Sequence, residues 1–508
     1  MKASGTSFAQ RLLWLGPFVV AVALGILVYL RAVNGPFIWD DEVLVQQLDM
    51  HTGEGWWQIF TTGFLIDPSG GKAAFYRPII VASLLFDRAL WGDNTLGYHL
   101  TNLFFHAITI LFVGVLTWQI LRSRIAAIAS AFLFAVHPIH ADSVCWISGR
   151  TDVICAAFLI PGICAYMEYY RSKRRVFLVL SLVLILLALM SKELAVLSPV
   201  LIALSAWASG VRDYRKLLKD AIPYVVLAVV FLGARHFVLK EAMAPSVLVP
   251  PKARAAIIGF SLFAHLQMLL LPWTAKLGYG YLPNQIINNT SLLRGAFVCA
   301  LAFCFWSISL TMPILFFGMA WFLVTIGLIS GITGPYLAGL VAQRLLYIPS
   351  FGLAIVFGWL IAKAVESGKY VRYAGLALAL GVIVAFSFLS VKQSVLYTDD
   401  VIFWQRFIKD VPLNPAAYYN LGVAYVSNGE PERAISYLRK AIKLAPSIAM
   451  NYYAMGQALS QLNRVDEAIS YFEKAAHLDP NNEIIQQGLM EIYERKRAEI
   501  GLPGQPHQ

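Results

Sequence analysis

Apolar runs long enough to cross a lipid bilayer recur along the first 395 residues, and they decide what this chain can fold into. Residues 12–30, 176–190, 221–239 and 375–389 are examples. A helix needs about 20 such residues to span the hydrocarbon core. The 508 residues are 58% hydrophobic and only 14% charged, against about 45–50% and about 25% in a soluble domain. The expected class is therefore all-α: a polytopic transmembrane bundle of roughly ten or more helices over 1–395, followed by a helical-repeat domain. The first run is too long for a secretory signal, and no small-residue cleavage site follows it, so it is expected to stay as an anchor.

The net charge of +11 could suggest nucleic acid, but the Lys and Arg residues cluster between apolar runs, at 122–124, 171–175, 212–219 and 363–372. That is the positive-inside pattern of a membrane protein, and it argues against a nucleic-acid partner. It puts the N-terminus in the cytoplasm and 32–97 in a long external loop. The expected spans are then 12–30, 98–121, 124–138, 152–170, 176–190, 194–209, 221–238, 293–310, 312–330, 346–363 and 373–391. Two apolar stretches, 78–91 and 255–271, carry polar interruptions (Asp87 and Arg88; His265 and Gln267) and are expected to be juxtamembrane or re-entrant on the outer side. The C-terminus then lies outside: a cell (inner) membrane protein with a periplasmic tail, or an endoplasmic-reticulum protein with a lumenal one. Cys145, Cys155, Cys164, Cys299 and Cys304 lie in or beside apolar runs without metal-ligand spacing, and read as small buried hydrophobes. No metal site is expected. Asn288-Asn289-Thr290 is a glycosylation sequon of a kind common by chance.

Shifting the C-terminal sequence by 34 residues pairs Tyr418 with Tyr452, Gly422 with Gly456, Ala434 with Ala468, Tyr437 with Tyr471, Ala441 with Ala475 and Pro446 with Pro480. This period, with small residues where the helices cross and Pro at the end, is the tetratricopeptide signature. A domain over 396–500 is expected, with full repeats at 415–448 and 449–482, a helix before them at 399–410, a polar capping helix at 483–497, and a tail at 501–508.

Charged groups near a membrane are costly and need a reason. The external loop opens on Trp39-Asp40-Asp41-Glu42. Its three carboxylates could act as general base or metal ligands, or simply cap a solvated helix. Tyr76-Arg77-Pro78 follows, then His99, Asn102 and His106 on one helix face by their i, i+3, i+7 spacing. The polar segment His137-Pro138-Ile139-His140-Ala141-Asp142, ending at Gly149-Arg150-Thr151-Asp152, interrupts an apolar run, which is tolerated where backbone lines protein or a cavity. Its plainer reading is a turn with helix caps. Ser191-Lys192-Glu193 and Gln343-Arg344 stand at outer ends of other spans. Carboxylates, histidines and cations thus converge on one membrane face. Cations bind phosphate and a carboxylate can deprotonate a hydroxyl, which suits a lipid-linked phosphosugar donor.

The motifs Phe37-Ile38-Trp39-Asp40-Asp41, Tyr76-Arg77-Pro78, Gly97-Tyr98-His99-Leu100-Thr101-Asn102, His137-Pro138-Ile139-His140 with Gly149-Arg150, Ser191-Lys192-Glu193 and 344–349 occur in this order ahead of the repeats. In this the chain resembles the transmembrane-and-tetratricopeptide O-mannosyltransferase-like proteins of the GT-C glycosyltransferase superfamily. The resemblance implies transfer of a sugar, mannose by family default, from a polyprenyl-phosphate donor to an acceptor hydroxyl, such as Ser or Thr of a protein, on the extracytoplasmic face. It implies Asp40 and Asp41 as the acidic catalytic pair, with Asp41 and Glu42 as the alternative register. Arg77, Arg150, Lys192 and Arg344 become candidates for the donor phosphate. Glu42, His99, Asn102, His137, His140, Asp142 and Glu193 become supporting polar groups. A divalent cation is left open, because GT-C enzymes differ. Gln343 departs from the family, which carries an acidic residue there. Tyr419 and Tyr453, with Asn420 and Gln457, would line a groove for acceptor protein or peptide, or would merely pack the repeats. Two rival readings are a non-enzymatic membrane scaffold that recruits partners through its repeats, and a transferase acting on a lipid or polysaccharide.

Overall fold

The computed structural model describes residues 8–51, 56–66, 73–239, 250–279, 286–327 and 341–499. The end of the expected span 312–330 and the tail 501–508 lie outside the described residues. The chain divides into two compact units, Met1–Thr398 and Asp399–Gln508.

The described residues of the first unit are helical, as its apolar runs require, apart from turns and a ribbon in the loop 32–97. There Phe64–Ile66 pairs antiparallel with Ala73–Phe75. Among the described residues, seven helices are long and apolar enough to cross a membrane: Leu15–Asn34, Thr95–Leu121, Arg150–Ser172, Tyr214–Leu239, Pro251–Leu270, Asn289–Ser307 and Lys369–Tyr397. An eighth arises if Arg124–Ala135 and Pro138–Val144, bent by 51°, count as one broken span. The count falls below the expected one because Arg175–Leu189 and Glu193–Ala208 are shorter apolar helices, Ser350–Glu366 has 17 residues, and only Pro313–Gly327 of the expected span 312–330 is described. Fifteen residues reach only about 22 Å at 1.5 Å per residue, short of a core about 30 Å thick.

Pro251–Leu270 is longer than the expected juxtamembrane or re-entrant stretch 255–271, and its length and composition would suffice to cross a membrane. It begins on Pro at its first turn and runs for 20 residues. It packs closely on Asn289–Ser307: a Cβ on Gly259 would come within 2.5 Å of the Ser291 carbonyl oxygen and 2.9 Å of the Gly295 Cα. Close backbone approach through small residues is a usual way for apolar helices to associate in lipid. The expectation for 78–91 stands differently. Pro78–Trp91 has only 14 residues, and its Asp87 is fully buried rather than exposed at a surface. The cysteines divide: Cys145, Cys155 and Cys164 are buried, whereas Cys299 and Cys304 are exposed on Asn289–Ser307. The sequence reading missed this because lipid-facing and core-facing positions of an apolar helix look alike.

Basic turns separate the hairpins. Arg122 ends Thr95–Leu121 and Lys173 ends Arg150–Ser172, both in the left-handed conformation (φ 54° and 57°). Ser123 then caps the next helix by accepting the Ala126 N–H.

In the second unit, Asp399 caps Asp400–Asp410. Pro415–Ser427 pairs with Pro431–Leu444, and Ala449–Gln461 pairs with Val465–Leu478. The 34-residue spacing works through volume. Gly422 and Gly456 admit Leu438 and Phe472 of the facing helices, where a Cβ would meet them at 2.5 and 3.0 Å. Glu483–Glu499 follows as a last helix.

Candidate functional site

Two loops build the site. In the first, the chain leaves its opening span and turns at Trp39, whose φ of 59° is unusual for a bulky side chain. Asp41 fixes this turn from inside, its Oδ2 accepting the Ile38 N–H at 3.1 Å. In the second, the polar segment after His137 folds into a tight turn (Pro138–His140) and a short helix (Ala141–Val144). Asn102 holds it in place by donating to the Val144 and Trp146 carbonyls at 3.3 and 3.0 Å.

Side chains then lock one loop to the other. Trp146 Nε1 donates to the Ile38 carbonyl at 3.0 Å. Ser148 donates its N–H to Asp41 Oδ1 at 2.8 Å, and its hydroxyl to the same oxygen. The Trp39 and Trp146 rings stack at 5.7 Å and 25°. A third segment brings the cation: the Arg344 guanidinium lies 5.2 Å over the Trp146 ring. Asp142 receives the Arg344 N–H on Oδ2 at 3.1 Å, and the guanidinium stands 3.7 Å from that oxygen. The Tyr397 hydroxyl donates to Asp142 Oδ1 at 3.0 Å.

The two adjacent carboxylates are therefore unlike. Asp41 is 1% exposed, and burial lifts its pKa from the usual carboxylate range to about 7, outweighing its three donors. Its oxygens are engaged in holding the loops together. Asp40 is half-buried. Burial raises its pKa as well, with Arg344 pulling the other way. Asp40 and Arg344 thus sense each other's charge beside an aromatic floor, and neither is enclosed. Glu42 is exposed next to them.

The other expected residues fall elsewhere. Arg77 pairs with Glu193 at 2.9 Å, with its guanidinium 4.1 Å over the Phe75 ring. Lys192 pairs with Asp152 at 2.6 Å. Both cations are mostly enclosed, with side chains 11% and 10% exposed. Arg150 requires a correction. It is fully buried, pairs with buried Asp87 at 2.7 Å and donates to the Tyr98 and Ile147 carbonyls and to Ser83. With no open face it holds the helices Pro78–Trp91, Thr95–Leu121 and Arg150–Ser172 together and cannot meet a phosphate in this arrangement. His99 bonds the Gly35 carbonyl at 3.3 Å. His106 meets the Tyr347 hydroxyl at 2.7 Å, His137 the Leu269 carbonyl at 3.1 Å and His140 the Ser350 hydroxyl at 2.9 Å. These histidines form a buried polar core under the loops. Gln343, beside Arg344, donates to the Lys276 carbonyl at 3.0 Å. Among the described residues no group of three or more His, Cys, Asp or Glu is placed to hold a metal.

Sequence reasoning missed Trp146, Ser148 and Tyr397. Trp146 and Ser148 lie within a segment already marked by its polarity. Tyr397 closes an apolar helix and carries no signal of its own.

In the second unit, Tyr419 is half-buried. Tyr453 packs edge-on against Phe472 at 5.4 Å and accepts from Gln457 at 3.2 Å. A Cβ on Gly488 of the last helix would meet its ring at 2.7 Å. Tyr453 therefore packs the repeat against the last helix along one edge. It also lines a cavity of about 320 Å³ with Gln457, Phe472, Glu491 and Arg495.

Comparison with known proteins bears on this arrangement. Tetratricopeptide repeat models match residues 415–448 and 449–482. The human protein O-mannosyl-transferase TMTC4 is 24% identical over 83% of this chain and 66% of its own length. A Caenorhabditis elegans protein O-mannosyl-transferase, F38B6.6, is 23% identical over 84% of this chain and 63% of its own. Over most of its length the chain is thus similar to proteins named protein O-mannosyl-transferases. The Drosophila melanogaster protein O-mannosyl-transferase Tmtc1 reaches 30% identity over 34% of this chain and 21% of its own length. The chain thus spans less than two thirds of each of these relatives. A crystal structure of the Archaeoglobus fulgidus oligosaccharyltransferase tethered to an acceptor peptide aligns at a TM-score of 0.46 and 14% identity, over 77% of this chain and 56% of that one.

Proposed function

We propose that this chain is a membrane glycosyltransferase of the O-mannosyl-transferase kind. It moves a sugar, mannose by family default, from a polyprenyl phosphate to a hydroxyl of an acceptor protein on the extracytoplasmic face. The observation that carries the proposal is the half-buried Asp40 with the open cation Arg344 beside it, over the Trp39–Trp146 stack.

Each group has a task in that reaction. Asp40 accepts the proton of the acceptor hydroxyl, whose oxygen attacks the anomeric carbon with inversion. The bond from that carbon to the phosphate oxygen breaks, and the leaving phosphate gains charge. Arg344 sits where that charge grows, and preorganised opposite charge is often the largest catalytic contribution. The exposed Trp39 ring offers an apolar face to the sugar. Asp41 keeps Asp40 in place by fixing the turn that carries it. Arg77 and Lys192 remain candidates for a more distant part of the donor head group, provided a bound donor competes for them with Glu193 and Asp152. The repeats would present acceptor protein through the face carrying Tyr419.

The test is direct. The purified chain in lipid nanodiscs is supplied with radiolabelled polyprenyl-phosphate mannose or with a nucleotide sugar, and with protein, peptide or lipid acceptors. Label should pass only from the lipid-linked donor and into protein. Transfer only into lipid would shift the acceptor class, and no transfer from any donor would favour a scaffold.

A further inference from the structure

Arg344 is an incomplete ion pair. Its guanidinium stands 3.7 Å from Asp142 Oδ2, whereas a charge-assisted N–H···O contact closes to about 2.7–2.9 Å. The side chain keeps 28% of its surface exposed. Something holds these opposite charges apart. On the arginine's side it is the Trp146 ring, with the guanidinium 5.2 Å from its centre. On the carboxylate's side it is two donors, one on each oxygen. The Tyr397 hydroxyl takes Oδ1 at 3.0 Å and the Arg344 N–H takes Oδ2 at 3.1 Å. Asp142 is 5% exposed and Tyr397 1% exposed, so water has little access to replace either donor. These two donors, one on each oxygen, fix the plane of the carboxylate, so that it does not swing towards the guanidinium although it keeps its charge.

We infer that Tyr397 is a positioning residue that keeps Arg344 open for the phosphate of the donor by occupying Asp142. This rests on the function proposed above. The change that isolates it is Tyr397→Phe, which removes one oxygen and keeps the ring that packs beneath the site. Without the hydroxyl, Asp142 loses its donor on Oδ1, is free to turn, and draws in the guanidinium that already stands 3.7 Å from Oδ2. The pair closes, and Arg344 is withdrawn from Asp40 and from the donor. The direction is distinctive: loss of a tyrosine hydroxyl strengthens an ion pair and weakens the site.

Two readouts are needed, on the full chain in nanodiscs. The first is the rate at which phenylglyoxal, an arginine-selective reagent, modifies Arg344, followed by peptide mass spectrometry. It requires no activity. The second is KM and kcat for polyprenyl-phosphate mannose. Tyr397→Phe should slow modification of Arg344 and raise KM, each about fivefold, the upper end of what a part-exposed ion pair is worth, with the melting temperature kept. Adding Asp142→Asn should restore both towards wild type, because the neutral amide no longer captures the guanidinium. A residue that only packed the fold would give no such rescue. Unchanged labelling in Tyr397→Phe, or a second substitution that deepens the loss, would overturn the inference. If labelling follows the prediction but wild type transfers no sugar, the latch stands as a structural fact, its role towards a donor is refuted, and it is the proposed function that has failed.

Discussion

Arg150 offers a sharp test, because its residue type and its position point in opposite directions. An arginine in a motif at the end of a span suggests a phosphate ligand, yet this one is fully buried against Asp87 at 2.7 Å. Replacing it with Met keeps the length and removes the charge. Asp87 would then be left with the Thr101 hydroxyl at 2.7 Å as its remaining partner in this network. Breaking a buried pair on one side costs about 3–5 kcal/mol, a large share of a folded protein's margin of about 5–15 kcal/mol. The paired change Arg150→Met with Asp87→Leu removes both charges, and such replacements are often near neutral. The account predicts that Arg150→Met loses most of its thermal stability in nanodiscs, that the double variant recovers most of it, and that the recovered protein binds polyprenyl-phosphate mannose with unchanged affinity. The reasoning is refuted if Arg150→Met melts like wild type but binds donor much more weakly.

Four further outcomes follow from the same account. Asp41 titrates near 7 when folded and near 3.8 unfolded; the folded state holds the extra proton between those values, so its contribution favours folding fully below pH 3.8 and is lost as pH rises through 7. Asp41→Asn should therefore flatten the fall in stability across that window, as read by melting temperature against pH, and an unaltered profile would remove Asp41 as its source. Tyr453→Ala should lower the melting temperature of the repeat unit, since it empties the contact of this half-buried ring with Phe472 and Gly488 at a cost of about 2 kcal/mol. Tyr419→Ala should instead slow protein glycosylation while sparing a small soluble acceptor, and equal loss of both would make the repeats mere support. A reporter active only outside the cytoplasm should work when fused after Gln508 and fail when fused near Lys173; the reverse would put Asp40 on the wrong face.

Much of this molecule is legible in its sequence because the rules involved are local. Apolar runs announce helices, and the spacing of Gly422, Ala434, Gly456 and Ala468 announces the repeats. The polar interruption at 137–150 points to the site because polar backbone near a membrane must be held by something. Long-range pairing is not legible. Asp40 and Asp41 are neighbours of the same type, and only the arrival of Ser148 on one and Arg344 beside the other separates their roles. Arg150 and Arg344 look equivalent until Asp87 is seen to occupy the first. Tyr397, 255 residues from Asp142 in the chain, has no periodicity or motif to reveal it. Helix length also misled, since the run 176–190, counted as a span, has only 15 residues and its helix Arg175–Leu189 is no longer.

The central claim is that Asp40, and not its neighbour, takes the acceptor's proton beside Arg344. The most direct measurement is single-turnover transfer from radiolabelled polyprenyl-phosphate mannose to an acceptor protein by wild type, Asp40→Asn and Asp41→Asn in nanodiscs, with each variant's melting temperature recorded. The account predicts that Asp40→Asn slows transfer about 100-fold or more, the scale of general-base catalysis, while melting like wild type, and that Asp41→Asn transfers at a rate closer to wild type. Full transfer by Asp40→Asn, or a greater loss in a well-folded Asp41→Asn, would contradict it.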